Sequence, residues 1–347
     1  MARASNPAKR PAIPRGAVTV HDVARLAGVS AITVSRAMNS PAQLSPTTLD
    51  RVLAAVAQTG YVPNLLAGGL RSAKSKLVAA IVPTVGSPVF LETIQSLTDA
   101  LDEGGYQLML GQSGYRNSRE DALLDAIIGR RPAGIVLTGM LHSSESRRRL
   151  LASRIPIVET WDLSPHPIDL AVGFNHERIG AEVCDDLLAR GREHLALVSA
   201  DDQRARLRAG GFVHAARRHG LVHRDAEVPT HWIPAPATLA SGRAGLAALL
   251  ERHPKVDAVF CSSDLVALGV LTEAHARGIA VPKRLAIVGF GDLEFSAGVL
   301  PALSTVRVDG TRIGRVAARF LIDRAEGRPI AQPVVDVGFH LVHRATT

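Results

Sequence analysis

Apolar side chains recur at Val20, Val23, Ala24 and Ala27, a spacing that lines one face of a two-turn helix, with Thr19 placed as its N-cap. Gly28 ends that helix. Ser30 caps a second over Ala31 to Met38, where Val34 and Ala37 fall inward while Ala31, Ile32, Ser35 and Arg36 face out. Ser45 and Pro46 open a third helix, with Leu49, Val52, Leu53 and Val56 as its apolar stripe, and Gly60 closes it. Two short helices joined by a Gly-containing turn make a helix-turn-helix, so residues 18–62 read as a small all-α domain.

Beyond residue 76 the period changes. The short apolar runs LVAAIVPT, YQLMLGQ, AGIVLTG and IPIVETW are separated by helical stretches ending near Glu103, Arg130 and Ser153. A second series follows, HLALVSA, DAVFCSSD and LAIVGFGD, with helical stretches such as DLVALGVLTEAHARG between them. Alternation of this kind predicts an α/β core of parallel, doubly wound sheets covered by helices on both faces. Residues 77–347 are more chain than one such sheet needs, which implies two lobes with a ligand cleft beyond the carboxyl ends of their strands.

Charge sharpens the division. Residues 1–76 carry ten basic side chains against two acidic ones, Asp22 and Asp50, so the whole net charge of +8 lies there. An excess confined to one end points to a polyanionic partner, double-stranded DNA first. Residues 1–17 read as a basic disordered tail and 63–76 as a hinge. Cys184 and Cys261 are far apart and indicate buried core positions, not a disulfide framework or a metal site. No apolar run is long enough to span a bilayer, and the N-terminal stretch lacks a signal-peptide core, so a cytoplasmic protein is expected, without membrane contact. Phosphate-loop, H-E-x-x-H and G-x-S-x-G patterns are missing; no enzyme activity and no metal or other cofactor are expected.

The stretches TVHDVARLAGVSAITVSRAMN and LSPTTLDRVLAAVAQTGYVPN follow D-V-A-x-x-A-G-V-S-x-x-T-V-S-R-x-x-N and G-Y-x-P-N, and in this they resemble the DNA-binding domain of the LacI/GalR family of bacterial repressors. That family docks its second helix in the major groove. The resemblance implies Ala31, Ile32 and Arg36 as base readers and Thr19, Ser30, Thr33 and Ser35 as phosphate contacts, with Asn39 either capping the helix or reaching phosphate. A bidentate pair from Arg36 to guanine carries about 1 to 3 kcal/mol of discrimination. Asn64 and Leu70 are further DNA contacts by position, Leu70 as the minor-groove wedge of a hinge helix that folds on DNA. Gly68 and Gly69 each weaken that helix by about 1 kcal/mol relative to alanine.

The resemblance extends through the core, whose relatives are similar to periplasmic sugar-binding proteins, and within the family LVAAIVPTVGSPVFLETIQSL, FCSSDLVALGV and PVVDVGFHLVHR look closest to gluconate-operon repressors. It implies a gluconate-like small-molecule effector bound by Phe90, Thr138, Trp161, Asp162, Phe174, Arg208, Ser263, Asp264, Asp292 and Arg307. An aromatic ring packs on the carbon face of a polyol, and Arg208 matches a carboxylate with two parallel bonds. Two departures count against a neutral sugar: Gly291 shifts the acid of GFGD to Asp292, and Val308 replaces a frequent polar reader. A homodimer through the core is implied, since the chain ends about where the core does. The readings are then a repressor released by its effector, a corepressor-dependent relative, or a periplasmic-type sugar receptor without DNA function.

Overall fold

The computed structural model describes residues 18–62, 75–114, 117–139, 143–164, 166–221 and 228–347. Asn64, Gly68, Gly69 and Leu70 lie outside the described residues, and with them the expected hinge helix. The chain divides into two compact units, Met1–Lys74 and Ser75–Thr347.

The first unit is three helices, α1 (Val20–Ala27), α2 (Ala31–Asn39) and α3 (Pro46–Thr59). Gly28 ends α1 at φ 66°, a left-handed conformation that costs glycine little, and the chain turns at once into α2. Val23, Val34 and Val52, all fully buried, bring the three helices onto one small core with Ala24, Ala27, Ala37 and Ala55. Two expected positions differ. Leu53 is 46% exposed, while Ala55 joins the buried core of the three helices. Ala31 packs partly against the core and is not fully turned outward.

In the second unit the chain runs β1 (Leu77–Val82), α4 (Leu91–Glu103), β2 (Gln107–Gln112), α5 (Asn117–Ile128), β3 (Gly134–Thr138), α6 (Ser144–Ser153), β4 (Ile157–Thr160) and β5 (Leu170–Gly173). It then crosses to α7 (His176–Ala189), β6 (Leu195–Ala200), α8 (Gln203–Arg218), β7 (Thr230–Ile233), α9 (Leu239–Arg252), β8 (Ala258–Cys261), α10 (Asp264–Ala276), β9 (Ala286–Val288) and a short α11 (Phe295–Gly298). The last elements are β10 (Thr305–Arg307), α12 (Gly310–Glu326), β11 (Val334–Asp336) and β12 (His340–Val342). One parallel sheet has the order β11-β5-β4-β3-β1-β2, the other β7-β6-β8-β9, and β10 pairs antiparallel with β12. Helix α12 returns to pack on α4 and on β3 to β5, so the chain passes between the lobes more than once.

Strand parity explains why these runs are apolar throughout. Val78 and Ala80 of β1 join the cluster that includes Leu97 and Leu101 of α4, whereas Ala79 and Ile81 join Leu124 of α5 and Leu150 of α6. In β6, Leu195 and Leu197 share a cluster with Phe212 of α8, and Ala196 and Val198 share one with Leu246 of α9 and Val270 of α10. A strand covered on both faces cannot alternate apolar with polar.

Helices α7 and α8 approach closely enough that a Cβ on Gly180 would fall on the Arg208 carbonyl oxygen and one on Gly211 on the Glu177 carbonyl oxygen. Both obstacles are backbone, which cannot rotate away. Gly211→Val is therefore expected to lower stability by more than about 3 kcal/mol, at the upper end of overpacking effects, read as a fall of the thermal midpoint or as insoluble protein.

Candidate nucleic-acid interface and effector cleft

In the first unit, the turn at Gly28 presents the outer face of α2. Ile32 is 66% exposed, and Ser35 and Arg36 are exposed beside it. Among the described residues the Arg36 guanidinium has no ion-pair partner, so its donors are available to a ligand. Thr19 donates through its backbone N–H (3.0 Å) and hydroxyl (2.6 Å) to Asp22, fixing the start of α1. Ser30 Oγ accepts from the Thr33 N–H at 3.2 Å, and the two hydroxyls lie 2.9 Å apart, which settles the start of α2. Asn39 donates to the Ser35 carbonyl at 2.9 Å in the last turn of α2. An isoleucine standing two-thirds exposed next to a free guanidinium is a poor solution for a solvated helix face. It suits a major groove, where a thymine methyl and a guanine edge can both be met.

In the second unit, a cavity of about 250 Å³ opens at the carboxyl ends of β6 and β8, between the two sheets. Phe90, Trp161, Arg208 and Ser263 line it as expected from the sequence, together with His176, Asp202, Arg204 and Phe290. Phe90 meets Trp161 edge to face at 5.1 Å, Trp161 meets Phe174 at 5.7 Å, and Phe174 meets His176 at 4.7 Å. Trp161 stands at φ 66°, uncommon and strained for a bulky side chain, and its Nε1 donates to Thr93 Oγ1 at 3.1 Å. The floor of the cavity is thus a set of interlocked rings.

Arg208 sits over the Phe290 ring at 4.0 Å, donates through Nη1 to His176 Nδ1 at 3.0 Å and through Nη2 to the Ser262 carbonyl at 2.9 Å. Its Nε has no partner among the described residues. Burial pushes its pKa down to about 10, still far above neutrality, so it stays charged. His176 accepts at Nδ1 and must therefore donate at Nε2, 2.9 Å from the Trp161 carbonyl, which fixes a neutral tautomer. Burial first, then Arg208 and Arg204, hold its pKa well below the usual value.

The sign of the resulting pH effect follows from that depression. The unfolded chain takes up a proton at this histidine as pH falls through about 6.5 while the folded chain does not, so stability is lost from that point downward. His176→Gln removes the difference. The gap between wild type and variant should shrink by about 1 kcal/mol from pH 7 to pH 5.5 in urea unfolding, and a constant gap would mean that the ring is not held neutral.

The remaining expected cleft residues stand off the cavity. Thr138 ends β3 beside Thr160, and Phe174, fully buried, supports Trp161 and His176 from beneath. Asp162 is buried, accepts from the Leu163 N–H, and has its pKa raised mainly by burial. Glu159 accepts from the Ile168 N–H at 2.7 Å, so it does not confront an anion in the cavity. Asp264 is fully buried and accepts from Thr305 Oγ1 (2.5 Å), Ser296 Oγ (2.7 Å) and the Leu293 N–H (2.8 Å). Placed as an effector contact by resemblance, it instead ties α10 to the chain after β9 and to β10. Asp264→Ala strands three donors and should lower stability by about 3 kcal/mol or more, measured by thermal unfolding. Asp292 is engaged by Arg344 at 2.6 Å and Arg307 at 3.3 Å, and the exposed Arg307 also faces Glu92 at 3.8 Å, so this pair neutralises itself outside the cavity.

Sequence reading missed Arg204, His176, Asp202 and Phe290. Arg204 precedes Arg208 by four residues, one helical turn, and so shares its face, whereas the intervening Arg206 is exposed. That spacing was a usable signal. His176 had none, because its burial depends on the approach of α7 to α8.

The family model described as bacterial regulatory proteins, lacI family, matches residues 19–64, and a periplasmic binding protein-like domain matches residues 184–347. The HTH-type transcriptional regulator GntR of Pseudomonas aeruginosa is 37% identical over 333 residues, covering 96% of each chain. Among solved structures, a lacI-family regulator from Silicibacter pomeroyi is 31% identical with a TM-score of 0.88, over 95% of this chain and 99% of that one. The transcription regulator GntR from Chromobacterium violaceum is 34% identical with a TM-score of 0.73, over 78% and 98%.

Proposed function

The chain belongs to the lacI family of bacterial regulatory proteins and is a DNA-binding transcriptional repressor, not an enzyme; from that premise we propose that a sugar acid of the gluconate type, seated in the cleft of the core, releases it from a palindromic operator. Work on DNA places it in the cytoplasm. The observation that carries the effector reading is the buried Arg208, charged, 5% exposed and with Nε unpartnered, in a cavity floored by aromatic rings. A carboxylate supplies the missing acceptor, and the carbon face of a polyol packs on Phe90 and Trp161. The cavity lies just under the roughly 300 to 1,000 Å³ span of drug-sized sites, which suits one small molecule. The relatives named HTH-type transcriptional regulator GntR support the same class.

Ala31, Ile32 and Arg36 read base edges, Thr19, Ser30, Thr33 and Ser35 approach phosphates, and two such units in a homodimer meet the two half-sites. Asn64 and Leu70 complete this contact in the proposed hinge, which effector binding separates. The coupling is a difference in effector affinity between the operator-bound and released forms. Calorimetric titration of the full chain with gluconate and a few related sugar acids tests the ligand class. Saturable binding is expected, and its absence for all of them would remove the sugar-acid reading while leaving the DNA-binding function in place.

A further inference from the structure

Two guanidiniums, Arg204 and Arg208, and one carboxylate, Asp202, line the cavity. Arg204 is 9% exposed, lines the cavity, and its Nη1 has no hydrogen-bond partner among the described residues. A buried guanidinium N–H left unpaired is costly, so a position that keeps one is arranged for an acceptor that arrives from outside. The nearest acids do not serve it. Asp202 accepts from the Ala205 N–H at 3.0 Å and caps α8, and among the described residues neither Asp202 nor Asp162 forms an ion pair with Arg204.

The two arginines are not one clamp. Arg208 lies over Phe290 and is anchored to His176 and Ser262. Arg204 lies over Phe90 at 5.2 Å, and a Cβ on Gly139, after β3, would sit 3.3 Å from its Nη1. Each guanidinium therefore stands on its own ring, Arg208 against the second lobe and Arg204 reaching across to the first. The N-termini of α9 and α10, capped by Thr238 and Ser263, also line the cavity and add partial positive charge, while the Asp202 carboxylate at the start of α8 sets one negative charge near Arg208.

We propose that the effector is an acyclic sugar acid with an anionic group at each end, an aldaric acid or a phosphorylated aldonic acid, one end taken by Arg208 and the other by Arg204. Arg204 is then the residue that separates dianionic from monoanionic sugar acids. This rests on the sugar-acid reading of the cleft and narrows it.

Calorimetric titrations of the full chain with gluconate, glucarate and 6-phosphogluconate test it. At least one of glucarate and 6-phosphogluconate should bind about thirtyfold or more tightly than gluconate, its second anionic group meeting a second desolvated guanidinium. In Arg204→Met that ratio should fall to within about threefold, with Arg204→Lys intermediate because ammonium keeps the charge and loses the planar fork. Gluconate binding as tightly as both dianions in the wild type would overturn the proposal and leave the sugar-acid reading standing. Binding of none of the three would overturn both. Preference for a dianion that survives in Arg204→Met would assign the second group elsewhere and overturn the role of Arg204; the wild-type ratio stands as a test even where a variant folds poorly.

Discussion

Arg208→Met is expected to reduce affinity for the sugar-acid effector by about a hundredfold or more, leaving a protein that still binds its operator but no longer lets go. Truncating the charged partner in a desolvated pair removes the ion pair and two directed bonds, and Met fills much of the same volume without a donor. Thermal stability should move little, because opposing effects meet at this position. The guanidinium is wholly buried with its pKa drawn down to about 10, so folding around it costs about 3 kcal/mol that the variant recovers. Against that, His176 Nδ1 and the Ser262 carbonyl lose their donor, at about 1 to 3 kcal/mol each. A large binding loss with a small shift in melting temperature separates a ligand contact from a structural one. If both fell together, Arg208 would be holding α7 and α8 in place and the anion site would have to be sought elsewhere.

Arg36→Ala is expected to weaken specific operator binding by about ten- to a hundredfold, the size of one bidentate base contact, while binding to unrelated duplex at low salt changes far less. The operator is first obtained by selecting palindromic duplexes with the wild-type protein, and the two affinities are then compared at fixed salt. A parallel loss on both kinds of DNA would make Arg36 a phosphate contact. Ile32, which carries no charge, provides the control: Ile32→Ala should relax preference at one position of each half-site with little change in the salt dependence.

What the sequence disclosed and what it withheld divide along one physical line. Caps and turn glycines act locally, so Thr19, Gly28, Ser30 and Gly60 placed α1 to α3 to within a residue or so. Apolar runs placed most core strands for the same reason, since a strand buried on both faces needs no partner to be recognised. The short β7, β10, β11 and β12 have no such run, and their strand character depends on neighbours distant in sequence. In the third helix, Leu53, expected in the apolar stripe, is exposed, and Ala55 is buried in the core that α1 to α3 share.

The cleft follows the same rule. Family resemblance named Phe90, Trp161, Arg208 and Ser263, and the fold brings these four to a cavity at the carboxyl ends of the strands, where ligands meet a doubly wound sheet. Asp264, at an equivalent strand end, was drawn instead into a buried cluster with Ser296 and Thr305, an arrangement that needs the chain after β9 to fold back. Asp292 and Arg307 cancel each other for a similar reason. Arg204 was hidden by residue type, since an arginine on a helix is read as a surface group until the opposite lobe is seen to cover it.

The measurement closest to the central claim follows operator binding by fluorescence anisotropy in the full chain as effector is added. With a sugar acid at saturation, operator affinity should fall by about tenfold or more, and by reciprocity the sugar acid should bind the DNA-free protein more tightly by the same factor. An operator affinity that stays constant while calorimetry shows the cleft occupied would contradict release by that ligand, because a ligand with equal affinity for both forms shifts nothing.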